Sequence, residues 1–381
     1  MRTRKEQSRM ERRSFLKATM ALSGAFAFQY ASPISGLAEA MLTPPEDEPL
    51  KEHASAKGLL YGAASQQKAL SDPDFAQLFV RECAILVPEG ALKWKAVHPQ
   101  RDRFNFQPGD WLLHFCQKNH LLYRGHTLVW HANNPDWLEQ TINKGNARGI
   151  LQKHIETVVG HYAGRMHSWD VVNEVLNPSD GLEGGLRRSV WLDNIGPDYI
   201  AFAFRAAAQA DPKALLMYNE NHLEYDNANE NTKRAAVLRL LEKLRSADVP
   251  IQGLGIQAHL RGGDSHFNAG KVRDFVREVG GMGLKVMITE LDVADDSLPS
   301  DVHRRDATVA SLYQSFLDAV LAEGATIGVL TWGLADRYTW LRQSRPRGDG
   351  ADVRPLPFDS EMQPKPAWTA MARAFDRAPA R

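Results

Sequence analysis

Apolar residues along the chain fall into two alternating patterns. Short apolar or β-branched runs of about four to eight residues, bounded by turn residues, read as buried strands. They lie at 59–63, 84–87, 123–129, 168–172, 215–219, 253–257, 286–289 and 328–331. Helical spacing between them predicts helices over 75–81, 111–118, 150–162, 199–209, 232–244, 272–279 and 307–322, with a closing helix after Pro366. Asp72-Pro73 and Pro108-Gly109-Asp110 supply entry signals for the first two. Strands separated by helices imply a parallel sheet with right-handed crossovers. Eight such units close naturally into an α/β fold of the (β/α)8 TIM-barrel type, and an open doubly wound sheet is the alternative. No internal repeat or low-complexity linker interrupts residues 50–381, so one domain is expected.

The amino-terminal segment breaks this pattern. Residues 1–40 hold seven basic and three acidic side chains, then an uncharged run over 18–38, the layout of an export signal. A permanent membrane span needs about 20 predominantly apolar residues, and this run is too interrupted for a stable membrane anchor. Arg12-Arg13-Ser14-Phe15-Leu16-Lys17 resembles a bacterial twin-arginine signal, which implies the twin-arginine export machinery as a partner and a periplasmic or secreted product. Ala38-Glu39-Ala40 fits a cleavage site. The expected organisation is a signal over 1–40, a Pro- and acid-rich linker over 41–54 and a barrel over 55–378.

Composition narrows the function classes. The chain has 381 residues, 43% hydrophobic and 24% charged, with 46 basic and 46 acidic side chains, which excludes a disordered or fibrous protein. Without residues 1–40 there remain 39 basic and 43 acidic side chains, no excess that would attract nucleic acid. Cys83 and Cys116 are the only cysteines, open to one bridge or two buried thiols, of which the thiols are the favoured reading.

Barrel enzymes place their chemistry at the carboxyl ends of the strands. The polar and aromatic residues of this chain cluster there: Glu89 and Lys93 after strand two, Arg124-Gly125-His126-Thr127-Leu128-Val129-Trp130-His131 along and beyond strand three, and Trp169-Asp170-Val171-Val172-Asn173-Glu174 on strand four. Tyr218-Asn219-Glu220-Asn221 ends strand five, Gln257-Ala258-His259 strand six, Thr289-Glu290-Leu291-Asp292 strand seven and Thr331-Trp332-Gly333 strand eight. Ionisable groups at one end of apolar strands are costly to bury without a purpose or partners. Glu174 and Glu290 face each other across the mouth as a pair fit for glycosidic cleavage, one carboxyl donating a proton and the other attacking the anomeric carbon. A separation of about 5–5.5 Å would give a covalent intermediate and retained configuration. His259 and Asp292 form a chain that keeps Glu290 ionised. Trp130, Trp332 and Trp340 offer flat faces to sugar rings, with Tyr218 as a polar handle.

These motifs, with Ile288-Thr289-Glu290-Leu291-Asp292-Val293, Trp340 and Pro364-Lys365-Pro366-Ala367, resemble those of glycoside hydrolase family 10, the endo-β-1,4-xylanases. The likeness covers roughly residues 55–375. It implies a TIM barrel acting on xylan or xylo-oligosaccharides as a monomer, without cofactor or metal. It further implies Glu174 as acid/base and Glu290 as nucleophile. Asn173, His126, Trp130, Gln257 and His259 would shape the subsite of the covalently bound sugar. Glu89, Lys93 and Trp332 would bind the glycone side, Trp340 would cover the reactive ring, Asp292 would support His259 and Tyr218 would line the cleft. Two departures stand out. Gly90 occupies a position where the family usually carries Asn, which removes a sugar contact worth on the order of 1 kcal/mol. The basic segment 342–347 is long and would attract glucuronic acid branches, unless it is merely a solvated loop.

Other motifs carry no chemistry. Gly253-x-Gly255-x-x-Ala258 matches a dinucleotide fingerprint but lies within a strand. His120, His126 and His131 lack the companions of a metal site. The rival readings are a barrel glycosidase acting on β-glucan and a catalytically silent sugar-binding barrel.

Overall fold

The apolar runs pair side by side into a ring. A computed structural model describes residues 48–381, and in it β1 (Leu60–Ser65), β2 (Ile85–Pro88), β3 (Leu122–Gly125), β4 (Ser168–Asn173), β5 (Leu215–Glu220) and β6 (Gly253–Ile256) follow one another in parallel register. The short β7 (His259–Arg261) pairs with the far half of β8 (Lys285–Ala294), whose near half pairs with β6. β9 (Thr326–Thr331) joins β8 to β1 and closes the barrel. Ile85, Val87, Met217, Met287 and Leu330 form a cluster of their own, contributed by strand side chains.

Helices wrap the ring: α1 (Leu50–Ser55), α2 (Pro73–Glu82), α3 (Gln107–Lys118), α4 (Ala147–Tyr162), α5 (Tyr199–Ala210), α6 (Ala228–Ser246), α7 (Ala269–Gly281), α8 (Val302–Leu321) and α9 (Pro366–Arg377). Their starts follow the sequence signals. Asp72 caps α2 by accepting from the Asp74 N–H, Asn227 caps α6 and Asp301 caps α8. Each turns an apolar stripe inward, as Phe75 and Phe79 do on α2 and Trp368, Met371 and Phe375 do on α9.

Three boundaries differ from expectation. α1 falls inside the segment read as linker; Leu50 and Ala54 are fully buried, and the Leu50 N–H donates to the buried Glu82 carboxylate at 3.0 Å, so the folded unit reaches back at least to Leu50. β3 stops at Gly125, and the polar run beyond it is loop. β8 extends past Thr289 to Ala294, because its far half gains β7 as a partner. Cys83 and Cys116 are buried free thiols, as expected. The signal expected over 1–40 lies outside the described residues.

Candidate active site

Side chains from the carboxyl ends of the strands converge on a cavity of about 360 Å³. Lys93, His126, Trp130, Asn173, Glu174, Gln257, His259, Glu290, Asp292, Trp332 and Trp340 all line it. Glu89 lines a neighbouring recess of about 520 Å³ on the other side of Trp340. A larger open groove, about 740 Å³, runs along α8 and α9, but no carboxylate lines it.

Backbone irregularities aim the two carboxylates. The β8–β9 register shifts between Ile288 and Leu291, at the point where Glu290 leaves the ladder. Such bulges re-aim a side chain next to an active site. Glu174 has φ 54° and Ala258 φ 62°, left-handed values that are sparsely populated for residues with a side chain. Both are held from outside. The Glu174 N–H donates to the Asn219 carbonyl at 2.9 Å, and the Ala258 N–H donates to the Glu224 carboxylate at 3.0 Å.

Amides tie the pair together. Asn219 Nδ2 donates to Glu290 Oε1 at 2.7 Å and to Asn173 Oδ1 at 2.9 Å. Gln257 Nε2 donates to Asn173 Oδ1 at 3.3 Å and to Glu174 Oε1 at 3.0 Å. The two carboxylates thus share one chain of side-chain amides, while each presents its second oxygen elsewhere. Glu290 Oε2 lies 3.1 Å from His259 Nε2, and His259 Nδ1 lies 2.9 Å from Asp292 Oδ1. Trp340 Nε1 completes the line by donating to Asp292 Oδ2 at 2.8 Å.

Electrostatics keep Glu290 ionised. Burial pushes the Glu290 pKa up, but the His259 hydrogen bond and the charges of His126, His259 and Lys93 outweigh it and bring it to about 2. Burial likewise opposes a charge on His259, yet Asp292 and Glu290 raise its pKa well above the usual histidine value. The ring is therefore an imidazolium donating from both nitrogens.

On the opposite wall, Asp170 accepts from the buried Arg124 guanidinium and from His126 Nδ1, the latter at 3.0 Å, leaving His126 Nε2 for the cavity. The Lys93 ammonium sits 5.1 Å from the Trp130 ring centroid and 5.7 Å from that of Trp332. A Cβ placed on Gly90 would meet no atom within 4 Å.

Asn219 is the residue that motif reading missed, although it joins both carboxylates. The signal was present: strand side chains alternate, so Asn219 shares the inward face with Met217. Thr289 Oγ1 donates to Asn219 Oδ1 at 2.7 Å and fixes the amide's orientation. Gly255 clears its space, since a Cβ there would lie 2.3 Å from that same oxygen.

The same alternation corrects Tyr218, expected to line the cleft. It points away from the barrel interior, is fully buried and donates to Glu220, which also pairs with Lys233 at 2.7 Å. The basic segment 342–347 is largely exposed, as expected of a solvated loop, but its arginines are paired and not free charge. Arg342 faces Asp352 at 3.4 Å, Arg345 faces Asp296 at 3.1 Å, and the buried Arg347 pairs with Asp349 at 2.6 Å.

Comparison with known proteins agrees with this architecture. The profile described as glycosyl hydrolase family 10 matches residues 49–374. Endo-1,4-beta-xylanase B of Thermotoga neapolitana is 34% identical over 337 residues, covering 87% of this chain and 92% of that one. The beta-1,4-xylanase of Dictyoglomus thermophilum is 35% identical over 291 residues, 74% of this chain and 79% of its own. Among solved structures, native xylanase 10B from Thermotoga maritima superposes with a TM-score of 0.78 at 34% identity, covering 86% of this chain and 98% of that one. Xylanase 10B from Thermotoga petrophila RKU-1, in complex with xylobiose, gives a TM-score of 0.78 at 32% identity, over 87% and 98%. The chain is a member of glycosyl hydrolase family 10.

Proposed function

We propose that this chain is an endo-1,4-β-xylanase that cleaves xylan and xylo-oligosaccharides by a retaining double displacement. The observation that carries the reading is the pairing in one cavity of an ionised Glu290 with Glu174, through shared amides. Glu290 attacks the anomeric carbon as the glycosidic C–O bond breaks, and Glu174 delivers its proton to the departing oxygen. Glu174 then takes a proton from water, which displaces Glu290 and releases the sugar with its configuration retained. Asn173, His126, Gln257 and His259 surround the sugar bound to Glu290, and Trp130, Trp332 and Trp340 supply ring faces. Glu89 and Lys93 bind on the glycone side.

Reducing-end release from xylan, with β-glucan as the control polymer, tests the assignment in wild type, Glu174→Ala and Glu290→Ala. Both variants lose at least about a thousandfold in turnover. Azide or formate partly rescues Glu290→Ala with inverted product; failure of both anions overturns the nucleophile assignment. Faster cleavage of β-glucan than of xylan by wild type overturns the substrate.

Export by the twin-arginine route belongs to the same proposal and rests on Arg12-Arg13 and the uncharged run that follows. Replacing both arginines by lysine holds the enzyme in the cytoplasm of a producing bacterium, and unchanged export overturns it.

A further inference from the structure

Glu174 must hold a left-handed backbone (φ 54°) for its carboxyl to face the cleft. Its N–H is anchored on Asn219, but its carbonyl is gripped by a residue outside the cavity: Arg187 Nε donates to the Glu174 carbonyl at 2.7 Å and Arg187 Nη2 to the Leu176 carbonyl at 3.3 Å. The Arg187 N–H adds a bond to the Val175 carbonyl at 2.7 Å. Among the described residues Arg187 forms no ion pair; its guanidinium donors go to the carbonyls of the segment that carries the acid. We propose that Arg187 is a positioning residue for proton donation, fixing Glu174 through its carbonyl without touching substrate. This rests on the reading of Glu174 as acid/base.

The surroundings give the grip a second consequence. Glu174 Oε1 is taken by Gln257 and Asn173, so the proton for the leaving oxygen sits on Oε2. That oxygen lies 3.7 Å from His131 Nδ1, a buried atom with no hydrogen-bond partner. Burial and then the Arg187 charge lower the His131 pKa, while Glu174 opposes them. Arg187 thus also favours a neutral His131 ring beside the acid.

The test compares substrates that need a proton donor with one that does not. Misplacement by about 1 Å costs on the order of a hundredfold. Arg187→Met therefore lowers kcat/KM on xylan by about ten- to a hundredfold, with KM little changed, and leaves kcat/KM for 2,4-dinitrophenyl β-xylobioside, which reports the first step alone, within about twofold of wild type. Arg187→Lys, which restores one cationic donor and protects against a folding defect, recovers part of the xylan rate. Adding Arg187→Met to Glu174→Ala causes no further loss on xylan, because both changes remove the same proton transfer. Equal losses on both substrates, an unaltered xylan rate, or additive losses in the double variant overturn the proposal. If Glu174→Ala itself shows no dependence on leaving group, the acid/base reading fails instead.

Discussion

His259→Asn isolates what holds Glu290 ionised. In the wild type the Glu290 pKa lies at about 2 against an ordinary 4.5, a difference of about 3 kcal/mol in favour of the carboxylate. Burial works against that outcome, with Glu290 only 5% exposed, so the balance depends on positive neighbours. Asparagine removes the imidazolium charge and the bond at 3.1 Å, while burial remains and Asp292, 1% exposed, loses its cation and adds repulsion. The Glu290 pKa then rises, because burial and the Asp292 charge are opposed only by His126, Lys93 and the Asn219 donor. Because attack requires the ionised form, a raised pKa removes activity as pH falls. Loss of a charge-assisted hydrogen bond worth about 1.5–3 kcal/mol moves the acid limb of kcat/KM, measured on an activated aryl β-xylobioside from about pH 3 to about pH 8, up by about one to two pH units. The activated leaving group keeps Glu174's protonation out of the measurement. A limb that stays where the wild type has it would refute the electrostatic account of Glu290.

Three further outcomes follow from the structure. Gly90→Asn meets no steric obstacle and adds a sugar contact of about 1 kcal/mol, so KM for xylo-oligosaccharides falls roughly fivefold; an unchanged KM counts against a glycone contact at this position. His154 stacks on Trp94 with ring centroids 3.4 Å apart, and burial holds its pKa well below 6.5, with the neighbouring His98 adding to the effect. The folded ring stays neutral while the unfolded one takes up a proton, so stability declines as pH falls below 6.5. His154→Phe keeps the stack and makes the thermal midpoint fall less steeply between about pH 7 and about pH 5; parallel curves for variant and wild type would count against this. Lys365→Met strands the Asp336 carboxylate, whose partner now stands at 2.7 Å with both side chains buried, and costs about 3–5 kcal/mol in chemical denaturation; adding Asp336→Asn recovers much of it, and equal stability of single and double variants would rule out the stranded charge.

Much of this was legible because the two signals involved are local and periodic. Buried parallel strands need continuous apolar runs, and their helices need one apolar stripe, so each barrel unit announced itself. Glu174, Glu290, His259 and Asp292 stood out because charge at the end of such a run is expensive to hide. Features that depend on pairing in space were not legible. α1 resembles linker until Glu82 and α9 are beside it. Arg342, Arg345 and Arg347 read as free charge until the aspartates facing them are known. Tyr218 and Asn219 are adjacent, yet only knowledge of which face is inward separates an outer tyrosine from the amide that links Glu290 to Asn173. Glu174's left-handed backbone leaves no mark on its own sequence, since glycine is absent there.

Gly255 carries a consequence for engineering. One methyl group added there would displace Asn219, and with it the link between Glu290 and the other amides, although the glycine is not among the residues lining the cavity. Libraries that randomise only cleft-facing positions would overlook this lever, and redesigns that fill barrel interiors for heat resistance would disturb the acids' amide link by overlap here. Gly255 is best frozen together with the carboxylates whenever this scaffold is redesigned.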